Sequence, residues 1–168
     1  MNLKFKIYDK KSAKHKLIKT IFFPANIKNS NKKNIVLIGV GCNIGNCIRR
    51  FKKLYSFLSN HSKIDIIQTS IIYKNPPFGY LHQNDFFNTI LIIKTDYSPT
   101  KLLNFLMYVE KKFGRKRSFK NAPRTLDLDI ILYNNIKINL KNLQIPHPHY
   151  KKRDSVLIPL CLKDKIEA

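Results

Sequence analysis

The chain has 168 residues, of which 43% are hydrophobic, and a formal net charge of +22. This length predicts a single domain with a substantial core, and the apolar runs are too short for a transmembrane helix. Because 26 of the 32 basic residues are lysines, we interpret the charge as a solvated, residue-biased surface and expect no nucleic-acid or membrane partner.

Residues 1–33 are predicted to form a Lys- and Asn-rich N-terminal extension, and residues 34–168 the functional domain. The extension has no signal-peptide pattern, and its apolar segment 21–25 can add a strand or pack on the surface. The three cysteines are odd in number and lack metal-ligand spacing, which is typical of a protein in a reducing cytoplasm.

The first half of this domain alternates strand and helix patterns. The elements predicted in chain order are a strand at 35–40, a helix at 44–58, a strand at 64–75, a loop at 76–86 and a strand at 88–94. The glycine turn GVGCNIG after the first strand is a near miss for a dinucleotide-binding motif, so we interpret it as a tight strand-to-helix turn.

A second helix is predicted from Ser98-Pro99 to Gly114, followed by a loop, an aspartate-containing strand and a short strand at 136–139. Residues 143–154 are predicted to be a loop. The order β-α-β-β-α-β predicts an α+β fold, namely a ferredoxin-like two-layer sandwich with an extra C-terminal hairpin and loops.

The aspartate-containing strand lies in RTLDLDIILYNN, residues 124–135. Strand alternation places Asp127 and Asp129 on one face and predicts that Leu126, Leu128, Ile130 and Leu132 face the core. Two carboxylates about 7 Å apart along a strand can hold hard cations. The alternative is an ordinary solvated strand face.

Arginine is scarce, with six residues in two groups: Arg49 and Arg50 are adjacent, and the other four bracket the aspartates. The planar guanidinium suits bidentate contacts to phosphate or carboxylate. Cations beside a carboxylate pair indicate a metal–polyphosphate ligand, whereas a network of salt bridges is the alternative.

Two further motifs leave their roles open. PHPHY (146–150) either presents an imidazole to an anion or is a structural loop. The aromatic loop FGYLHQNDFF (78–87) either stacks on a flat heterocycle or packs beneath itself.

These motifs together resemble a known family. IGVGCNIGN, YKNPPFG, DFFN, VEKKFGRKR, KNAPRTLDLDII and PHPHYKKR before VLIPL occur in family order from about residue 35 to 162. They are similar to the 6-hydroxymethyl-7,8-dihydropterin pyrophosphokinase family of folate biosynthesis. The resemblance implies transfer of pyrophosphate from ATP to the pterin hydroxymethyl group with release of AMP, assisted by two Mg²⁺ ions, in a cytoplasmic enzyme expected to be a monomer.

The resemblance also implies roles for individual residues. The implied catalytic residues are Arg115, Arg124, Asp127 and Asp129, with the two aspartates as metal ligands. The implied ATP-binding residues are Glu110, Lys116, Arg117, Lys120, Ile130, His147 and Arg153. The implied pterin-binding residues are Asn75, Pro76, Phe78, Phe86 and Asn88, with Phe86 stacking on the ring and Asn88 hydrogen-bonding its edge.

Three positions depart from the family pattern. Asn121 stands where a Trp is frequent, Ser155 replaces a second stacking aromatic, and Cys42 replaces a Ser. The rival hypotheses are a ferredoxin-like nucleic-acid-binding module, although the chain lacks its basic-aromatic signature, and a catalytically inactive relative, although both aspartates are present.

Overall fold

A computed structural model describes residues 15–27, 29–116, 119 and 121–162. Its strands are β1 (Lys16–Ile18), β2 (Ala25–Asn26), β3 (Asn34–Cys42), β4 (Ile64–Thr69), β5 (Ile72–Asn75), β6 (Phe86–Thr95), β7 (Asp127–Tyr133), β8 (Ile138–Leu140) and β9 (Leu143–Ile145). Its helices are α1 (Cys47–Ser59), α2 (Pro99–Lys112) and α3 (Asp154–Cys161). The fold therefore belongs to the predicted α+β class. Within the described ranges, every helix is too short or too polar to cross a membrane.

One antiparallel sheet organises the chain. Strand β3 pairs with β6 on one side and β7 on the other, while β4 and β5 both pair with β6. Two short strands from residues 1–33 extend this sheet, because β1 pairs with β5 and β2 pairs with β4. The N-terminal extension thus contributes directly to the sheet.

Helices α1 and α2 begin where their capping residues predict. Asn46 accepts a hydrogen bond from the Arg49 N–H at 2.9 Å, and Ser98 precedes Pro99, which lacks the N–H that a first helical turn leaves unpaired. Both helices bury apolar stripes against the same face of the sheet, formed by Phe51, Leu54, Leu58, Leu102, Leu106 and Val109. This packing forms the main core.

Helix α3 packs on the opposite face. Its Val156 forms a second apolar cluster with Leu37, Ile90 and Ile131 from three neighbouring strands. Leu37 alternates along β3 with core residues Val36 and Ile38, so the two clusters lie on opposite sides of the sheet. The two-layer prediction omitted this third layer.

Strand β7 departs from perfect alternation. The register shifts between Leu37 and Ile38 of β3, which leaves Ile131 as an extra residue in β7. The prediction that Leu132 faces the main core is therefore wrong: Leu132 packs against the second cluster, and Tyr133 enters the main core instead.

The predicted loop at 143–154 also contains regular structure. Strand β9 pairs with β8 in a two-stranded hairpin, and residues Tyr150–Lys152 form a 3₁₀ turn. Leu143 and Ile145 are buried while Gln144 is exposed, but three residues are too short for this alternation to be recognised before Pro146.

The cysteines differ from the expectation of free thiols. Cys42 ends β3, Cys47 begins α1, and the two form a disulfide across the intervening turn with Cα atoms 5.7 Å apart. Both are buried, and Cys161 is not part of a disulfide. The glycine turn brings the two thiols together, which spacing alone did not indicate.

We expect reduction of this disulfide to lower the free energy of unfolding by about 2 kcal/mol, because a short closed loop restricts the unfolded chain by roughly that amount. The measurement is urea unfolding of a Cys161→Ser variant with and without reductant. A Cys42→Ser/Cys47→Ser variant is the control, and its stability should not respond to reductant. Identical unfolding curves for the Cys161→Ser protein under both conditions would contradict the prediction.

Candidate active site

The two aspartates lie beside glycines of the neighbouring strand. Asp127 of β7 is opposite Gly41 of β3, and Asp129 is opposite Gly39. A Cβ atom at Gly41 would lie 3.6 Å from the Asp127 Cβ and 3.4 Å from Asn88 Oδ1. At Gly41 the missing side chain leaves room for the Asn88 and Asp127 side chains to approach each other. Gly39 is instead covered by the Ile131 side chain, 3.2 Å from where a Cβ would lie.

A compact charged network surrounds Asp127. One carboxylate oxygen accepts from Arg115, and the other accepts from Arg124 at 2.5 Å. Arg115 also donates to the carboxylate of Glu110, which is 4% exposed and accepts the Leu128 N–H at 2.8 Å. The predicted catalytic arginines thus converge on a predicted metal ligand, and Glu110 supports them from α2.

Burial and neighbouring charges shift the pKa values of Arg115 and Asp129. Burial by itself lowers the pKa of the Arg115 guanidinium, but the negative charges of Asp127 and Glu110 outweigh it and raise the pKa. Burial raises the pKa of the Asp129 carboxyl, and the Asp127 charge adds to this, against the opposing charges of His147, Arg153 and Arg115. Asp129 therefore lies where additional positive charge is favourable.

Asn43 is a site residue that the sequence interpretation did not identify. Its side chain is buried, accepts the Arg124 N–H at 2.7 Å and donates to Gln83 Oε1 at 2.8 Å. Its backbone N–H also donates to the Arg124 carbonyl at 3.0 Å. Asn43 therefore joins the glycine turn, the aromatic loop and the segment that carries Arg124. Its place inside the glycine motif, between Gly41 and Gly45, was the signal that could have found it.

Candidate pterin-binding residues lie one strand away from the aspartates. Asn88 of β6 pairs with Gly41, which in turn pairs with Asp127. Asn88 and Asp127 therefore flank the same glycine, about 10 Å apart at ordinary strand spacing. The Asn88 amide donates to Asn75 Oδ1 at 2.7 Å, which joins two of the predicted pterin contacts.

The two predicted substrate regions meet at Phe86. The Arg124 guanidinium carbon lies 5.3 Å from the centre of the Phe86 ring, so an arginine covers the predicted stacking face. Pro76 follows Asn75 and is half-buried. The Asn75 side-chain amide donates to the Pro76 carbonyl at 2.7 Å. Phe78 is 90% exposed, so the structure does not bring its side chain into this group.

A cavity of about 260 Å³ lies at the other end of the aspartate pair. Asp129, Ile130 and His147 line it, together with residues that the sequence interpretation did not assign: Leu103, Leu128, Lys141, Asn142, Leu143, Gln144 and Pro148. His147 Nε2 is 4.0 Å from Asp129 Oδ2, and its buried Nδ1 has no hydrogen-bond partner within the described structure. The cavity thus offers an apolar floor and polar groups beside Asp129.

The remaining predicted residues are dispersed or lie outside the described ranges. Lys116 and Arg153 are exposed, and the Arg153 charge acts on Asp129. Arg117 and Lys120 lie outside the described residues. Asn121 approaches Gly79 of the aromatic loop and accepts from Gln83 Nε2 at 3.2 Å through its carbonyl. Ser155 is half-buried at the start of α3.

Two arginines hold Asp127, a cavity lies beside Asp129, and the Phe86 ring lies on the other side. This arrangement is that of an enzyme that transfers phosphoryl groups. Residues 37–164 match the family of 7,8-dihydro-6-hydroxymethylpterin-pyrophosphokinases (HPPK). The chain belongs to this family.

Curated relatives agree with the family match. The chain is 44% identical over 145 residues to the 2-amino-4-hydroxy-6-hydroxymethyldihydropteridine pyrophosphokinase of Helicobacter pylori. This alignment covers 84% of the present chain and 89% of the relative. The chain is 40% identical over 139 residues to the protein of the same name from Campylobacter jejuni, covering 83% and 87%. The residues matched by the family model, 37–164, include the whole candidate site.

Proposed function

We propose that this chain transfers the pyrophosphate group of ATP to the hydroxymethyl oxygen of 6-hydroxymethyl-7,8-dihydropterin in folate biosynthesis. The hydroxyl oxygen attacks the β-phosphorus of ATP and releases its proton to solvent, the bond from that phosphorus to the α,β-bridging oxygen breaks, and AMP leaves with that oxygen. The observation that carries the proposal is the row Asn88, Gly41 and Asp127 across three adjacent strands. In this row Asn88, the proposed ring-edge contact, lies within one small molecule's length of Asp127, the proposed metal ligand, which supports the proposal.

The aspartate pair fits Mg²⁺, which prefers carboxylate oxygens and retains ligands from water and phosphate. The described residues contain no group of three or more His, Cys, Asp or Glu side chains able to hold a metal alone. Asp127 and Asp129 would therefore hold two Mg²⁺ ions together with the phosphates of ATP. Bound there, the ions supply charge neutralisation of the transferred pyrophosphate.

Arg115 and Arg124 neutralise and orient the transferred group. Both arginines form ion pairs with Asp127 here. A cation bound to Asp127 would neutralise part of its negative charge and weaken these ion pairs. Their guanidinium groups then bind phosphate oxygens, a planar bidentate contact that arginine favours. Glu110 keeps Arg115 oriented, and Asn43 holds the backbone of Arg124. Lys116, Arg117 and Lys120 add positive charge from the same segment.

The two substrates occupy opposite sides of the aspartates. The adenine of ATP binds in the 260 Å³ cavity against Ile130, with His147 and Arg153 near its phosphates. The pterin stacks on Phe86 after Arg124 moves to the phosphates, Asn88 and Asn75 bind its polar edge, and Pro76 lies beside them. Phe78, which is 90% exposed here, would reach the pterin after the loop 78–87 folds over it. Departure of Arg124 from the Phe86 ring couples ATP binding to pterin stacking.

The wider architecture is also consistent with this function. Strands β3, β4, β6 and β7 lie in the order β4-β6-β3-β7, which supports a ferredoxin-like core carrying the β8–β9 hairpin as an addition. We assign residues 34–168 to the pyrophosphokinase domain and residues 1–33 to an extension. We propose a cytoplasmic monomer that acts on small molecules, without nucleic-acid or membrane partners.

Product analysis tests this function directly. The protein is incubated with ATP, Mg²⁺ and 6-hydroxymethyl-7,8-dihydropterin, and each component is omitted in turn. We expect AMP only when all components are present. ADP as the product would indicate ordinary kinase chemistry, and absence of turnover by folded protein would refute the proposal.

We expect Asn88→Ala to raise the KM for the pterin by about tenfold or more, because a buried polar substrate group would lose its hydrogen bond. The affinity for ATP should change little, since the adenine cavity lies beyond the aspartates. Steady-state kinetics with each substrate varied would separate these effects. Asn139→Ala, in the β8–β9 hairpin, is the control. An equal rise in both KM values would contradict the assignment of Asn88.

A further inference from the structure

A second cavity lies away from the aspartates, between the start of α1 and the end of α2. Its volume is about 660 Å³, which is within the range of small-molecule sites. Its charged and aromatic lining residues are Arg49, Arg50, Lys53, Phe57, Lys112 and Phe113. Four cations and two aromatic rings thus surround one cavity, and no carboxylate is among its lining residues.

The cations of this cavity form no ion pair with any other residue that the structure describes. They are Arg49, Arg50, Lys53 and Lys112. Arg50 uses one terminal nitrogen to contact the Ile44 carbonyl at 2.5 Å and the Cys42 sulfur at 3.1 Å. This contact anchors the side chain and leaves its other N–H groups for a ligand.

Two half-buried aromatic rings and a lysine lie together at one side of the cavity. The Phe57 and Phe113 rings meet edge to face with centres 6.1 Å apart, and the Lys112 ammonium lies 5.5 Å from the Phe57 ring centre. An aromatic ligand can pack against these rings, and phosphate groups suit the adjacent cations.

The arginines among the lining residues argue that this cluster of basic side chains did not arise from the lysine-rich composition alone. The chain has six arginines among 32 basic residues, and four of the six bracket the aspartates. Both remaining arginines, Arg49 and Arg50, line this cavity. A general lysine bias would fill an unselected surface with lysine, whereas paired guanidinium groups favour bidentate anion contacts.

From this geometry we infer a second ligand site, which binds a phosphorylated aromatic compound in addition to the substrates of the catalytic site. Nucleotides share this chemistry, and so does the pyrophosphorylated pterin that the proposed function produces. The site adjoins Gly114, directly before Arg115. A bound ligand would therefore contact the base of the segment that carries the catalytic arginines.

Amide NMR spectra of the isotope-labelled protein can test this inference without turnover. ADP and the pyrophosphorylated pterin are titrated separately, and inorganic pyrophosphate provides a ligand without a ring. Signals of Arg49 and Phe57 report the α1–α2 cavity, while the signal of Ile130 reports the cavity beside Asp129. We expect at least one ring-bearing ligand to shift the α1 signals, with a dissociation constant that differs from the one fitted to the Ile130 signal. Pyrophosphate should bind at the α1–α2 cavity more weakly than that ligand.

A matched pair of variants separates a built site from general charge attraction. Lys53→Glu should weaken binding at the α1 signals by about tenfold or more, the loss expected for a charge-assisted contact. Lys52→Glu changes the net charge equally on the neighbouring residue, which does not line the cavity, and should leave binding within about twofold. The inference would be overturned by any of three results: no shift of the α1 signals, α1 shifts with the same titration curve as the Ile130 signal, or equal weakening of binding in both variants. Failure of the proposed function would leave this binding result unaffected.

Discussion

Alanine at Asp127 or Asp129 is expected to reduce AMP formation by about 10³-fold or more. Each aspartate would hold Mg²⁺ on the transferred pyrophosphate, and loss of several kcal/mol of charge stabilisation corresponds to at least that factor. The Asp127 change also releases Arg115 and Arg124 from their shared partner. The measurement is single-turnover AMP formation at saturating substrates.

Two controls make this result specific to the site. Asp96→Ala removes a carboxylate outside the site and should keep full activity. Circular dichroism and thermal unfolding should show that the Asp127 and Asp129 variants are folded. Binding of Mg²⁺-ATP should weaken in both variants, which separates a metal ligand from a residue that only orients the pterin. Activity within about threefold of the unsubstituted protein in either variant would exclude that aspartate as a metal ligand.

Glu110→Ala should lower the free energy of unfolding by about 3–5 kcal/mol, the usual loss when one partner of a buried ion pair is removed. Glu110 is 4% exposed and accepts hydrogen bonds from both Arg115 and the Leu128 N–H. The alanine variant leaves the Leu128 N–H without this acceptor and weakens the charge balance around Arg115. Urea unfolding measures the change.

Glu110→Gln distinguishes the two contributions. Its amide oxygen can still accept the Leu128 N–H, so its destabilisation should be smaller, while its lost charge should still lower kcat through misorientation of Arg115. Lys111→Ala, on the exposed side of α2, should change stability by less than about 0.5 kcal/mol. A Glu110→Ala protein as stable as the Lys111→Ala control would show that the buried network contributes no stability.

Several features of the fold followed from local patterns. Apolar spacing predicted α1 at 44–58, close to the observed Cys47–Ser59, and Ser98-Pro99 and Gly114 predicted the bounds of α2. Alternation predicted that Asp127 and Asp129 share a face of β7. The two-residue period failed at Ile131, because a bulge depends on the register of the partner strand β3. Helix α3 and strand β9 were missed because short segments carry little periodicity.

Some residues of the candidate site could likewise be identified from the sequence, and others only from the structure. Arg115, Arg124 and the aspartates were identified because scarce residue types cluster within 15 positions of the chain. Asn43 was missed because its partner Arg124 is 81 residues away in sequence. The Cys42–Cys47 disulfide was also missed, since the turn between them decides whether the thiols meet.

The sequence by itself determined the chemistry available to this protein: which residue types occur, which face of a strand they occupy and which family the motifs resemble. The tertiary structure alone decided that Asn88 and Asp127 flank one glycine and that Arg124 covers Phe86. It also decided that Arg49 and Arg50 share a cavity with the end of α2. The reason is physical: side-chain direction follows from local backbone geometry, whereas contacts between distant segments depend on strand register and packing.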